Sequence, residues 1–167
     1  RSRSSISRAT CAFSSSWAAG ALWIIHGIAS GDVTATSVVI WARANRVAQM
    51  VVEYTPPPAV AWPPLRQDGP LVEARDDFTG KVVLQGLTPG SRYVYWVRFT
   101  APGEGLDVVS ETGQFRTTPA GGAARPLSLV WWGDLGGGLY CRDPERGYAI
   151  FTQMARVMPD FAIANGD

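Results

Sequence analysis

From Ile24 to Thr118 the chain is a succession of short apolar runs set between turn formers. Residues 37–42 (SVVIWA), 49–54 (QMVVEY), 81–84 (KVVL), 93–99 (YVYWVRF) and 112–116 (TGQFR) are rich in β-branched and aromatic side chains. Such side chains suit a pleated, half-buried surface, so each run predicts a strand. Gly31-Asp32, Pro56-Pro57-Pro58, Pro63-Pro64, Gly69-Pro70, Pro89-Gly90 and Pro102-Gly103 separate them. Glycine supplies backbone angles closed to other residues, proline removes an amide donor, and both end strands. Short strands at this spacing, with no helical period, predict an all-β sandwich over residues 23–118, close to the ~100 residues usual for that fold.

Two details sharpen the architecture. Residues 87–93 (LTPGSRY) have the form of the corner before a penultimate sandwich strand, where a tyrosine hydroxyl, here that of Tyr93, bonds back to upstream backbone. Trp41, following residues 37–40, is spaced like the large core residue of an early strand. Together they resemble a fibronectin type III or immunoglobulin-like module.

Residues 119–126 (PAGGAARP) carry no periodicity and read as a linker. After them the period changes. Phe151, Met154, Ala155 and Met158 recur at helical spacing, which predicts a helix over residues 147–158 stopped by Pro159. Strand-like runs at 127–132 (LSLVWW) and 160–164 (DFAIA) flank it. Strand, helix, strand predicts a βαβ unit with a right-handed crossover, the opening of an α/β domain over residues 127–167.

Each of those two runs leads into an aspartate, Asp134 by way of Gly133 and Asp167 by way of Asn165-Gly166. On neighbouring parallel strands both carboxylates emerge at the carboxyl edge of one sheet, where open α/β folds place their ligands. Adjacent strands lie about 5 Å apart, so Asp134 and Asp167 can share a metal ion or bracket a pair. The pattern points to a metal-dependent hydrolase.

Composition narrows the classes. Of 167 residues 46% are hydrophobic and 17% charged, and no apolar run approaches a membrane span, which needs roughly 18 residues. The net charge of +1 has no basic cluster beyond Arg1, Arg3 and Arg8, so nothing indicates nucleic acid binding. Cys11 and Cys141 fit no metal-ligand spacing and leave both a disulfide and the redox compartment undecided. Residues 1–22 run from basic through apolar to small, the outline of a secretory signal peptide, but Ser14, Ser15 and Ser16 interrupt it. They read as a disordered leader or signal-peptide remnant.

Other chemistry-bearing residues have simpler readings. His26, the single histidine, opens the first sandwich strand and reads as a surface or interdomain contact rather than a catalyst. Asp32 reads as a turn residue. Gly136-Gly137-Gly138 offers amides to a phosphate but has no helix directly behind it, which favours a loop. Tyr140 is assigned to packing and Cys141 is left open. Trp131 and Trp132 read as strand core, with one ring available to line a pocket. Trp62, among prolines, suits either a binding face of the sandwich or a cover for its edge.

Residues 26–33 (HGIASGDV), 37–43 (SVVIWAR), 86–90 (GLTPG) with 93–99, Phe115-Arg116-Thr117, Trp132-Gly133-Asp134, and Pro159-Asp160-Phe161 through Gly166-Asp167 follow one order and spacing. That ordered set resembles the PhoD-like alkaline phosphatases (alkaline phosphatase D) from Ile24 to Asp167. The resemblance implies a fibronectin-like amino-terminal domain joined to a calcineurin-like metallophosphoesterase domain. It implies a secreted or periplasmic enzyme that hydrolyses small-molecule phosphate mono- and diesters at alkaline pH, with two metal ions, iron and calcium. By the same resemblance Asp134 binds one metal and Asp167 bridges both. The other ligands, an asparagine and later histidine motifs, are expected beyond Asp167, so this stretch alone is expected to be inactive.

The resemblance has one local departure. The wider metallophosphoesterases begin with Asp-x-His, whereas Asp134-Leu135-Gly136 lacks that histidine. Purple acid phosphatases share the Asp-x-Gly form and a preceding sandwich, and are the nearest alternative. A non-catalytic β-sandwich binding module is the alternative from another class.

Overall fold

A computed structural model describes residues 20–56, 63–121, 124–135 and 148–166. The chain divides into two compact units at the boundary between Ala124 and Arg125.

The larger unit holds β1 (Ile24–Gly31), β2 (Ser37–Ala44), β3 (Ala48–Thr55), β4 (Leu65–Val72), β5 (Thr79–Gln85), β6 (Arg92–Thr100), β7 (Asp107–Val109) and β8 (Gly113–Arg116). One antiparallel sheet has the order β1-β2-β5; the other has the order β4-β3-β6, with β7 and β8 both paired to β6. The sheets do not close into a barrel. Their facing sides share one core, in the manner of a β-sandwich.

Alternation along the strands builds that core. Val38, Ile40, Ala42 and Ala44 of β2 are fully buried, as are Met50 and Val52 of β3 and Val97 and Phe99 of β6. Each large apolar side chain so buried contributes about 1.5–3 kcal/mol relative to exposure. Trp41 is a correction to the sequence reading. Ile40 and Ala42 take the inward positions, so the period of two turns Trp41 to the outer face, where it is half-buried.

Gly69-Pro70 is a second correction, for it lies inside β4 rather than in a turn. Strand β4 is the edge of its sheet, where a missing amide is tolerated, and its register with β3 shifts opposite Gln49 and Val51. A Cβ at Gly69 would stand 2.6 Å from Val82 Cγ2 and 3.2 Å from Met50 Cβ. Gly80 faces Met50 Sδ at similarly close quarters. The two glycines thus let β4 and β5, strands of opposite sheets, close over Met50.

The corner before β6 forms as its sequence predicts. The Thr88 amide donates to the Tyr93 hydroxyl at 2.8 Å, and the buried Thr117 hydroxyl accepts from the Ser91 amide at 2.8 Å while donating to the Thr88 carbonyl at 2.7 Å. Tyr93 stacks on Phe115 with ring centroids 5.2 Å apart. Leu22, inside the stretch expected as a leader, is buried in the core. Asn45 secures that segment by accepting from the Trp23 amide at 2.8 Å and donating to the Ala21 carbonyl at 3.0 Å.

The smaller unit contains β9 (Leu129–Trp132), α1 (Ala149–Arg156) and β10 (Phe161–Ala164), with β9 and β10 paired in parallel. Phe151 of α1 meets Trp132 edge-on with centroids 5.1 Å apart. The helix is shorter than its sequence period implies. Val157 caps it, and Met158 leaves with φ 44° and is 83% exposed, while Ala155 is also exposed. Only Phe151 and Met154 of the expected stripe are half-buried. Trp131 departs from its expected place in the core: it alternates with Trp132, points to the sheet's other face, and is 70% exposed.

At the amino end of the parallel pair Asp160 acts as a clasp. Its carboxylate accepts from the Ser128 amide at 3.0 Å and pairs with Arg125 at 2.8 Å, and its own amide donates to the Ser128 carbonyl at 2.9 Å. The Ser128 amide first, then Arg125, hold the Asp160 carboxyl below its ordinary value. No helix among the described residues is long and apolar enough to cross a membrane.

Candidate metal centre

The parallel register sets Trp132 beside Ala164, so the segments leaving β9 and β10 emerge side by side. Pairing continues one bond further, where the Asn165 amide donates to the Trp132 carbonyl at 2.8 Å. Asp134 is exposed, two residues past the end of β9.

Gly166 closes the gap between the two segments. A Cβ built on it would lie 3.0 Å from both the carbonyl carbon and oxygen of Gly133, and 3.2 Å from the Asp134 Cα. All three are main-chain atoms, which cannot rotate aside as a flexible side chain can. The absent side chain therefore lets the segment after β10 rest against the backbone that carries Asp134. Sequence reasoning passed over Gly166, because a glycine before an aspartate looks like an ordinary turn former.

Of the two predicted metal ligands, Asp134 stands at this edge, while Asp167, next in sequence after Gly166, lies outside the described residues. So do Cys11, Trp62, Gly136, Gly137, Gly138, Tyr140 and Cys141. What comes together is Asp134 with Asn165 and Gly166. Among the described residues no three histidine, cysteine, aspartate or glutamate side chains gather into a metal-holding group. The donors these residues carry, a carboxylate and a side-chain amide, are oxygen donors of the kind hard cations take. The Gly166 contact brings the backbone of the two segments together at this edge.

Leu129, Trp131, Ile163 and Asn165 line an open cavity of about 300 Å³ on the exposed face of the pair. Trp131 borders this open hollow, and Trp132 packs on Phe151.

His26 lies in the other unit, exposed on β1, with Nδ1 3.3 Å from Arg43 Nη1. Arg43 is itself held by Asp77, through the carbonyl at 2.9 Å and the carboxylate at 2.6 Å. His26 is a surface contact of the larger unit. Asp32 follows β1 with φ 48°, the left-handed conformation of a turn residue.

Residues 10–119 match the family described as PhoD-like phosphatase, N-terminal domain. Among solved structures, one of PhoD is similar over 83% of this chain with a TM-score of 0.62 at 21% identity, and this chain spans 26% of that one. A redesigned β-sandwich protein (TM-score 0.41, 14% identity, 57% of this chain and 94% of that one) is a more distant likeness. So is the sensor domain of the anti-sigma factor RsgI4 in Pseudobacteroides cellulosolvens (TM-score 0.42, 16% identity, 60% of this chain and 98% of that one). No match is found among curated proteins.

Proposed function

Because the chain belongs to the PhoD-like phosphatase family, we propose that it is the amino-terminal part of a metal-dependent phosphate ester hydrolase. In this reading a fibronectin-like sandwich precedes residues 127–167, which open the metallophosphoesterase domain as its first βαβ unit. The observation that carries the reading is the parallel register of β9 and β10, with Gly166 resting against the backbone of Asp134. Likeness to the PhoD structure over 83% of the chain supports it, since residues 1–119 alone fall short of that share.

Asp134 would hold one cation, and Asp167, bonded to Gly166, would reach both. By family resemblance these are iron and calcium, and the substrate is a small-molecule phosphate mono- or diester outside the cytoplasm. Bound there, such a pair supplies charge neutralisation at the phosphoryl oxygens and an activated water. In this reading the chain's own contribution is to bring Asp134 and the segment that leads into Asp167 to one sheet edge. Since this chain spans about a quarter of the PhoD structure, turnover needs residues beyond it, and the 167-residue chain is expected to be inactive.

The test is the reading frame past Asp167 and the protein it encodes. An open frame with an asparagine and several histidine motifs at strand ends is expected. In that protein Asp134→Asn or Asp167→Asn should remove metal and lower turnover by more than the ~10- to 100-fold typical of losing an outer-shell partner. Retention of both metals at normal rate would overturn the assignment, and a stop directly after Asp167 would leave a sandwich whose role is binding.

A further inference from the structure

Gly133 and Gly166 look alike in sequence, since each directly precedes one aspartate of the pair. Their surroundings differ. No described atom lies within 4 Å of a Cβ built on Gly133, whereas a Cβ on Gly166 meets three main-chain atoms at 3.0–3.2 Å. Neither glycine is among the residues with positive φ. Neither position therefore needs glycine for a left-handed backbone, and the space around them distinguishes the two.

We propose that Gly166 is a positioning residue of the metal centre, and that Gly133 is dispensable to it. The inference rests on the metal-binding reading of the aspartate pair, while the contact itself stands without it. A methyl group at Gly166 would push the segment after β10 away from Asp134 by a few tenths of an ångström. Metal–ligand distances hold to within about 0.2 Å, so a displacement of that size decides whether two carboxylates can hold the same ions. The same methyl at Gly133 would meet no described atom within 4 Å.

The 167-residue chain tests this by NMR, with Mn²⁺ alone as the probe. A nuclear Overhauser contact between the Gly166 and Asp134 α protons reads the approach without metal. Broadening of the Asp134 and Asn165 amides on Mn²⁺ titration reads the centre. Wild type and Gly133→Ala are expected to show both. Gly166→Ala should lose the contact and need at least about tenfold more Mn²⁺ for equal broadening, with the Ile40 and Val97 amides of the sandwich unmoved. Persistence of both signals in Gly166→Ala, or their equal loss in Gly133→Ala, overturns the proposal.

Absence of Mn²⁺ broadening in the wild type, with the proton contact present, overturns the metal reading and the positioning role with it, leaving Gly166 a packing glycine. If Gly166→Ala melts the pairing of Leu129 with Phe161 while Gly133→Ala does not, the steric part stands. Unchanged Mn²⁺ broadening at Asp134 in that melted variant would then overturn the positioning part.

Discussion

The hydroxyl of Tyr93 accepts the Thr88 amide across the corner that opens β6, at 2.8 Å. Tyr93 is 2% exposed, so Tyr93→Phe keeps the packing on Phe115 but strands a part-buried amide. An unsatisfied donor of that kind costs about 1–3 kcal/mol. Urea unfolding followed by fluorescence should show a lowered midpoint with an unchanged slope; an unchanged midpoint would mean that the corner is held by Thr117 alone.

Gly69→Ala is expected to destabilise the sandwich although the change is a single methyl. Val82 is short and stiff, and the Met50 backbone oxygen lies 3.2 Å from the new atom, so neither can yield cheaply. Overpacking of this kind costs roughly 1–3 kcal/mol. The same unfolding measurement checks it, with Gly31→Ala, where a Cβ meets nothing within 4 Å, as the mild control.

Acid should loosen the smaller unit at its amino end. The Asp160 carboxyl sits below its ordinary value of 3.8, through the Ser128 amide first and then Arg125. A depressed carboxyl contributes stability that is fully present above its unfolded value and is lost as pH falls through the folded one. The clasp should therefore be intact at neutral pH, weaken below 3.8, and release fully only below the lowered value. The Ser128 amide shift followed from pH 6 downwards reports this, and Asp160→Asn should flatten the acid limb.

Amide exchange should separate the two units. No residue of α1 is buried and all four of β10 are exposed, whereas β2 and β6 each bury four side chains. Few buried contacts mean a low opening free energy. Exchange at residues 129–132 and 161–164 is expected to be much faster than at β2, β3 and β6, and equal protection throughout would contradict it.

Much of this architecture is legible in residue patterns because the larger unit buries its strands on one side only. Period-two burial from Ser37 to Ala44 and from Arg92 to Thr100 follows directly from that. The same periodicity misleads at Trp41, where bulk suggests core but parity assigns the outer face. Strand β4 hides because an edge strand with one buried residue, Val72, needs no apolar run and tolerates Gly69-Pro70. At the candidate centre Asp134 is legible from its place after a strand. Gly166 is not, because its contact is made with backbone from another strand and leaves no trace in local composition.

On β9 and β10, Leu129, Trp131, Phe161 and Ile163 share one side of the sheet, each more than 40% exposed. Two parallel strands also leave a row of main-chain donors and acceptors along each outer edge. Such a combination drives self-association in concentrated solution. The tendency of this polypeptide to self-associate should accordingly be set by its last forty or so residues, and a version ending at Thr118 should stay monomeric to higher concentration than the longer one.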